Sequence, residues 1–284
     1  MDTSDIDFLN SDLRKKKLNG LDFSKRDLSG VNLAGASLVG SNFNGAILRN
    51  ANLSGAKMNG FRDRYNKLFI VSMIGADLQG ANLSSASLMQ VDFTGANLKD
   101  ANLKGAILRN ACFRDAVLSR ANLEGADLGK VFFAGSDMKG ANLNNTDCQG
   151  VKFNGTKLRG CVFQKANLRK VDLSSHDLRS VDFSEADLRK TDLRSSNLQK
   201  AKFFKTDLRN SLLSEANLEA AYLSSALMQG ADLQWTNLNQ AVLRYSVNLK
   251  PAQVQSAKID RKTKIPQYLE IQWISEDDFR CKKK

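Results

Sequence analysis

The chain runs to 284 residues, with 42 lysines and arginines against 30 acids, a formal charge of +12 and a single histidine. No stretch approaches the ~18 consecutive apolar residues of a membrane-spanning helix. A hydrophobic content of 42% and a mean hydropathy of −0.36 exclude both a disordered chain and a membrane protein. Four scattered cysteines form no disulfide framework, and one imidazole leaves acid–base and metal chemistry poorly supplied. The opening residues, Met1 to Phe8, carry three aspartates and no apolar core, so they are not a secretory leader.

A five-residue period begins at Phe8 and runs to Leu243. Of the 48 positions in that series, 46 are Leu, Phe or Met, and only Asp63 and Cys148 depart from it. Two residues before each lies a column of small residues, mostly Ala, Ser, Thr, Val or Cys. Between the columns stands Asp or Asn, as in Ala76-Asp77-Leu78, Ala101-Asn102-Leu103 and Ala231-Asp232-Leu233. An α-helix would smear a period of five around all its faces, and a long strand would alternate it between two. Only a chain that turns after every pentad keeps both columns inside. Such short extended runs wind into a solenoid whose coils hydrogen-bond to one another. Asp and Asn suit the turns because their side chains bond nearby backbone groups.

The first coils are irregular, with Lys16, Leu21 and Arg26 in the small column, and Arg14 to Lys17 would repel strands that approach this edge. Residues 60–67 break the code. Asp63 falls where Leu belongs and Phe61 where only a small residue fits, so a pentad here should be extruded as a loop rather than bury a carboxylate. Within that loop Arg62, Arg64 and Tyr65 are candidate contact residues. From 151 to 210 there are 14 basic residues against 7 acidic ones. Arg169/Lys170, Arg189/Lys190 and Arg209 recur at every fourth pentad.

The pattern stops after Tyr245. Pro251 should open a short helix, Ala252 to Ala257. An extended wrap from Lys264 to Leu269 and a basic tail, Lys282 to Lys284, should follow. Tyr268, Ile271, Trp273 and Ile274 are candidates to cap the last coil or to dimerise.

The Ala-(Asp/Asn)-Leu-x-x unit, sustained over about residues 6–246, resembles that of the pentapeptide-repeat family. The resemblance implies an all-β fold, a right-handed quadrilateral parallel β-helix with four pentads per coil and about 12 coils. The domains are then 1–246 for the β-helix and 247–284 for the C-terminal cap. Four pentads per coil stack Arg169, Lys170, Arg189, Lys190 and Arg209 on one side. In some relatives extruded loops contact the partner, and in several a C-terminal segment makes a homodimer.

No catalytic constellation emerges. His176, Cys148 and Cys161 fall at inward positions and read as core residues, Cys112 is outward, and no CxxC spacing offers a zinc site. No cofactor and no metal is expected. The glycines recur at pentad ends as turn residues, not as a phosphate loop. The resulting reading is a non-enzymatic interaction scaffold with a protein partner, an acidic one by charge complementarity. An anionic membrane surface is a second partner class; nucleic acid is disfavoured, since Phe204 alone offers stacking near the basic stripe. The family's best-understood activity is regulation of DNA gyrase, a type II topoisomerase, by mimicry of DNA. That role requires a negative surface, and +12 is the opposite field. Relatives that are effectors of intracellular bacterial pathogens leave two locations open: the cytoplasm, or delivery into a host cell without a Sec signal.

Overall fold

The computed structural model describes residues 12–284, except 63, 67 and 277 and the side chain of residue 62. It forms two compact units, Met1–Asp147 with Val151–Lys157 and Cys148–Gly150 with Leu158–Lys284. Both are wound from the same pentad. Along most of each unit the residue before an inward Leu or Phe makes an isolated parallel bridge to its counterpart four pentads on, as in Lys17↔Ser37, Asn102↔Asn122 and Asp187↔Asp207. Each bridge carries two backbone bonds. In the first unit, Asn52 N–H donates to the Val31 carbonyl at 2.8 Å, and Leu33 N–H donates to the Asn52 carbonyl at 2.7 Å.

The corners explain the rest of the pentad. The N–H of the small residue closes each turn onto the preceding inward carbonyl, as Ala36 does to Leu33 at 3.0 Å. The residue before it takes a left-handed conformation, with φ of +70° at Gly40 and +59° at Lys170. This is the third position of a turn that requires positive φ. Glycine meets that demand without strain, whereas the charged residues that replace it later in the chain each cost about 1 kcal/mol. The Asp/Asn column holds the corner from outside: Asp27 Oδ1 accepts from Ser29 N–H at 2.9 Å, and Asn142 Oδ1 from Asn144 N–H at 3.0 Å.

Inside, the large column is fully buried through most of both units. Its phenylalanines recur at the same place in successive coils and stack ring on ring. Phe93, Phe113, Phe133 and Phe153 form one such column in the first unit, and Phe163, Phe183 and Phe203 another in the second. Cys148 and Cys161 are buried as expected. His176 is only half-buried, because an imidazole exceeds the space of the small column. Its Nδ1 turns back to donate to the Ser174 carbonyl at 2.8 Å.

The extruded segment is longer than a pentad. Bridges Asn42↔Ser72 and Ile47↔Asp77 span six pentads rather than four, so two pentads leave the coil. They fold as a small hairpin in which β1 (Phe61–Arg62) pairs antiparallel with β2 (Leu68–Phe69). Because ten is a multiple of five, the period survives and conceals the extra pentad. Leu68, in the large column by count, is 39% exposed. Asp63, whose burial the loop was expected to avoid, lies outside the described residues.

At the other end the chain goes on winding after the code has stopped. Leu249, Val254 and Ile259 turn inward, and α1 (Pro251–Gln255) forms one side of a further coil. Lys258 bridges Asn237 and Lys264 bridges Val242. The helix is shorter than expected and stops at Ser256. Gln253 holds it in place by accepting from Lys250 N–H and donating to the Met228 and Ala231 carbonyls. The segment beyond is not a loose tail: β3 (Leu269–Trp273) pairs antiparallel with β4 (Phe279–Lys283).

Candidate docking surfaces

Arg169, Arg189 and Arg209 do share one side of the second unit, following Asn167, Asp187 and Asp207 on a single bridged ladder. They are not a bare cationic stripe. Arg189 makes a two-pronged pair with Asp187 of its own corner, at 2.8 and 2.5 Å, and its Nε lies 3.4 Å from Asp207 of the next coil. Arg209 pairs with Asp207 at 2.6 Å, and Arg169 reaches Asp187 at 3.9 Å. Guanidiniums and carboxylates thus alternate up the side. Lys170 and Lys190 extend from the left-handed corner positions and are exposed. The same corner pairing joins Arg179 to Asp177 and Arg194 to Asp192.

Burial on its own would raise the Asp187 carboxyl, but the hydrogen bonds from Arg189 outweigh it and hold the group below the usual carboxylate range. Asp177 is lowered first by its bond from the Arg179 side chain, and Asp192 by that from Arg194. A carboxyl whose folded pKa is depressed stabilises the fold fully above its unfolded value near ~4, and that gain disappears as pH falls through the folded value. The urea midpoint is therefore expected to stay level from about pH 7 to 5 and to fall below about pH 4. Asp187→Asn should lower the neutral plateau and reduce the acid drop. Chemical denaturation across that range checks both outcomes, and a level profile down to about pH 2.5 would contradict them.

The hairpin is a different kind of surface. The Phe61 and Phe69 rings stack at 5.0 Å and lie over Gly40, where a Cβ would sit 3.4 Å from Phe61 and 3.7 Å from Phe69. This contact folds the hairpin onto the preceding corner. Tyr65 at its tip is 75% exposed with the Arg64 guanidinium 4.8 Å from its ring centre. Arg62 contributes its backbone to β1. Phe61, Leu68, Ile70 and Ile74 are also exposed, which makes this the densest group of outward apolar side chains among the described residues of the first unit.

The C-terminal candidates are placed differently from one another. The Tyr268 hydroxyl donates to the Ser246 carbonyl at 2.9 Å and accepts from Leu249 N–H at 3.0 Å. Trp273 packs at a tilt on Phe279 at 5.5 Å and carries the Arg261 guanidinium on its ring at 5.1 Å. Ile271 is half-buried, while Ile274 turns outward at 56% exposure. The apolar cover comes instead from Leu269 and Phe279, which are buried.

Two family models match the sequence, described as a pentapeptide repeat region over residues 126–203 and as pentapeptide repeats (8 copies) over 27–62, 72–110 and 206–244. Together they span more than half of the chain. It belongs to the pentapeptide-repeat family. The fold of this pentapeptide-repeat protein is accordingly an all-β, right-handed quadrilateral β-helix. The gap between residues 62 and 72 in the match falls on the hairpin.

Solved structures similar to the pentapeptide-repeat protein include HetL, a pentapeptide repeat protein involved in heterocyst differentiation regulation from the cyanobacterium Nostoc sp. strain PCC 7120. It is 22% identical over 89% of this chain and 88% of HetL, with a TM-score of 0.33. Rfr23 from the cyanobacterium Cyanothece 51142 is 27% identical over 45% and 88%, with a TM-score of 0.27. QnrB1, a plasmid-mediated fluoroquinolone resistance protein, is 15% identical over 90% and 92%, with a TM-score of 0.26. A search of curated proteins returned no match.

Sequence reasoning about this pentapeptide-repeat protein passed over its most exposed aromatic rings in the second unit. Trp235 is 71% exposed and Tyr245 66%, both at the left-handed corner position, with φ of +55° and +62°. The code itself marked them: the fifth residue of a pentad cannot point inward. Trp235→Gly removes the strain of a bulky left-handed residue and adds unfolded-state entropy, so it is expected to leave stability unchanged or raise it by up to about 1 kcal/mol. An unfolding free energy lowered by more than about 1 kcal/mol in chemical denaturation would show that the ring packs. Among the described residues no group of three or more His, Cys, Asp or Glu is placed to hold a metal ion, and no helix is long and apolar enough to cross a membrane.

Proposed function

We propose that this chain is a non-enzymatic protein-interaction scaffold that offers the hairpin between Gly60 and Val71 to a protein partner. One observation carries this reading: a regular coil expels two whole pentads and displays Phe61, Tyr65, Leu68 and Ile70 to solvent. Aromatic side chains beside an arginine are the composition that dominates binding at protein interfaces. Many of the charged side chains along the coils have structural duties, with aspartates closing corners and arginines paired to them. Pairing with Asp187 and Asp207 ties down the three guanidiniums and leaves Lys170 and Lys190 as the cations of the Arg169–Arg209 side with no ion pair among the described residues, a weaker attraction for an anionic membrane or nucleic-acid phosphates than five bare cations would give. Regulation of a topoisomerase by DNA mimicry gains nothing from a charge of +12.

Affinity capture from a lysate of the source organism tests the proposal, with the intact chain set beside one lacking the hairpin. The expected result is a partner retained by the first and absent from the second. Equal capture by both would remove the hairpin from the function, and turnover of a substrate by the purified protein would end the non-enzymatic reading.

A further inference from the structure

The C-terminal end of the second unit holds a groove of about 520 Å³ bordered by Arg244, Tyr245, Lys264, Ile271 and Lys284. Its one acid, Glu270, is answered by Lys282 at 3.5 Å. Arg244, Lys264 and Lys284 make no ion pair among the described residues, and all three are exposed. The groove is therefore a site of positive charge in which no cation of these three is held by an acid among the described residues, whereas the arginines of the Arg169–Arg209 side are.

The backbone along it is equally unmatched. The bonds Lys284 N–H to Tyr268 O at 3.1 Å and Ile274 N–H to Asp278 O at 2.9 Å fix the register of the β3–β4 pair. In an antiparallel ladder bonded pairs alternate with unbonded ones, so Glu270 and Gln272 bond to β4 while Ile271 and Trp273 direct their N–H and C=O groups away from it. On β4 the corresponding edge is occupied: Gln255 donates to the Phe279 carbonyl and accepts from Cys281 N–H at 2.9 Å. On β3 no group among the described residues plays that part at Ile271 or Trp273. An open strand edge is a template for another strand.

We propose that an acidic, extended peptide segment of another protein adds to β3 as a third strand, with its backbone on Ile271 and Trp273 and its carboxylates on Arg244, Lys264 and Lys284. This deepens the scaffold reading, on which it rests, by giving that scaffold a second contact with a defined partner chemistry. Strand addition supplies affinity through main-chain bonds and specificity through alternate side chains, and here the alternate side chains face three cations. Charge also decides against the other occupant of an open edge. A second copy of this chain pairing β3 with β3 would bring two such clusters together, with Arg261 added on each Trp273 ring.

Fluorescence anisotropy with the full-length protein and a labelled octapeptide of alternating Glu and Val is the test. Binding is expected to weaken steeply with salt and to fall at least tenfold in the Arg244→Glu, Lys264→Glu double variant. The same peptide N-methylated on every residue has no N–H to offer from either edge and should bind at least tenfold more weakly to the unaltered protein. Binding that survives charge reversal, or equal binding of a Lys–Val peptide, overturns the proposal. Equal binding of the N-methylated peptide overturns strand addition. Inorganic tripolyphosphate binding as tightly as the peptide would reassign the groove to phosphates, and a dimer in light scattering that Ile271→Pro abolishes would reassign the edge to a second copy. The hairpin-deleted chain should bind the peptide normally. Failure of the peptide alone therefore overturns the groove, and unchanged lysate capture by that deleted chain overturns the hairpin reading.

Discussion

Phe113→Ala is expected to lower the unfolding free energy by about 3–5 kcal/mol, the range for removing a fully buried ring. The ring lies in the interior of the first unit, 4.7 Å from Phe93 and 5.4 Å from Phe133 at interplanar angles of 8° and 23°. It therefore contributes both burial and two offset stacks, each worth about 0.5–1.5 kcal/mol. Relaxation cannot readily fill the space, because the bridged backbone fixes the distance between coils. The effect should also be local in origin, since each coil of a solenoid leans only on its neighbours. Phe204→Ala is the matched control. Phe204 follows the inward Phe203 but is exposed, so its removal is expected to change stability by less than about 1 kcal/mol. Guanidinium denaturation followed by circular dichroism reads both variants. A loss below about 1 kcal/mol for Phe113→Ala would mean that the stacked columns are not what holds the coils together.

The core of this fold was legible because one constraint repeats almost without exception. A large residue every fifth position, preceded two residues earlier by a small one, leaves the backbone a single way to bury both. What escaped was whatever respects the period while leaving the coil. Leu68 satisfies the code and is nonetheless exposed, because an excursion of two whole pentads preserves a five-residue count. The last coil escaped for the opposite reason: Leu249, Val254 and Ile259 keep the five-residue step but stand one residue out of phase with the column that ends at Leu243, and the bridges there span 21 and 22 residues instead of 20. The stripe was legible in position but not in charge. Arg189 and Asp187 are two residues apart in sequence and read as separate columns, yet a left-handed corner folds the guanidinium back onto the carboxylate. The free edge of β3 had no signal at all in a one-dimensional pattern, since it depends on which of two alternating registers the C-terminal strands adopt.

Removal of Phe61–Ile70 as a block is expected to leave the fold intact while abolishing the interaction proposed for the hairpin. The junction it creates reads Met58-Asn59-Gly60-Val71-Ser72-Met73, which is a regular pentad: a large inward residue, two corner residues of which the second is glycine, a small residue, an outward serine and the next large residue. Gly60 would then occupy the left-handed corner position that glycine accepts without strain. The bridges that now span six pentads, from Asn42↔Ser72 onward, would span four like their neighbours. What is lost is the Phe61–Phe69 stack over Gly40, a surface contact, set against the entropy of closing the two-pentad excursion, and the two are of similar size at about 1–2 kcal/mol. The thermal midpoint should accordingly shift by no more than about 5 °C, with an unchanged far-ultraviolet spectrum. A shift beyond about 10 °C, or a loss of β signal, would mean that the hairpin supports the coil rather than merely leaving it. With the fold retained, loss of the captured protein can be assigned to the missing side chains, and Tyr65→Ala with Leu68→Ser in the full-length protein should reproduce most of that loss without any change in backbone.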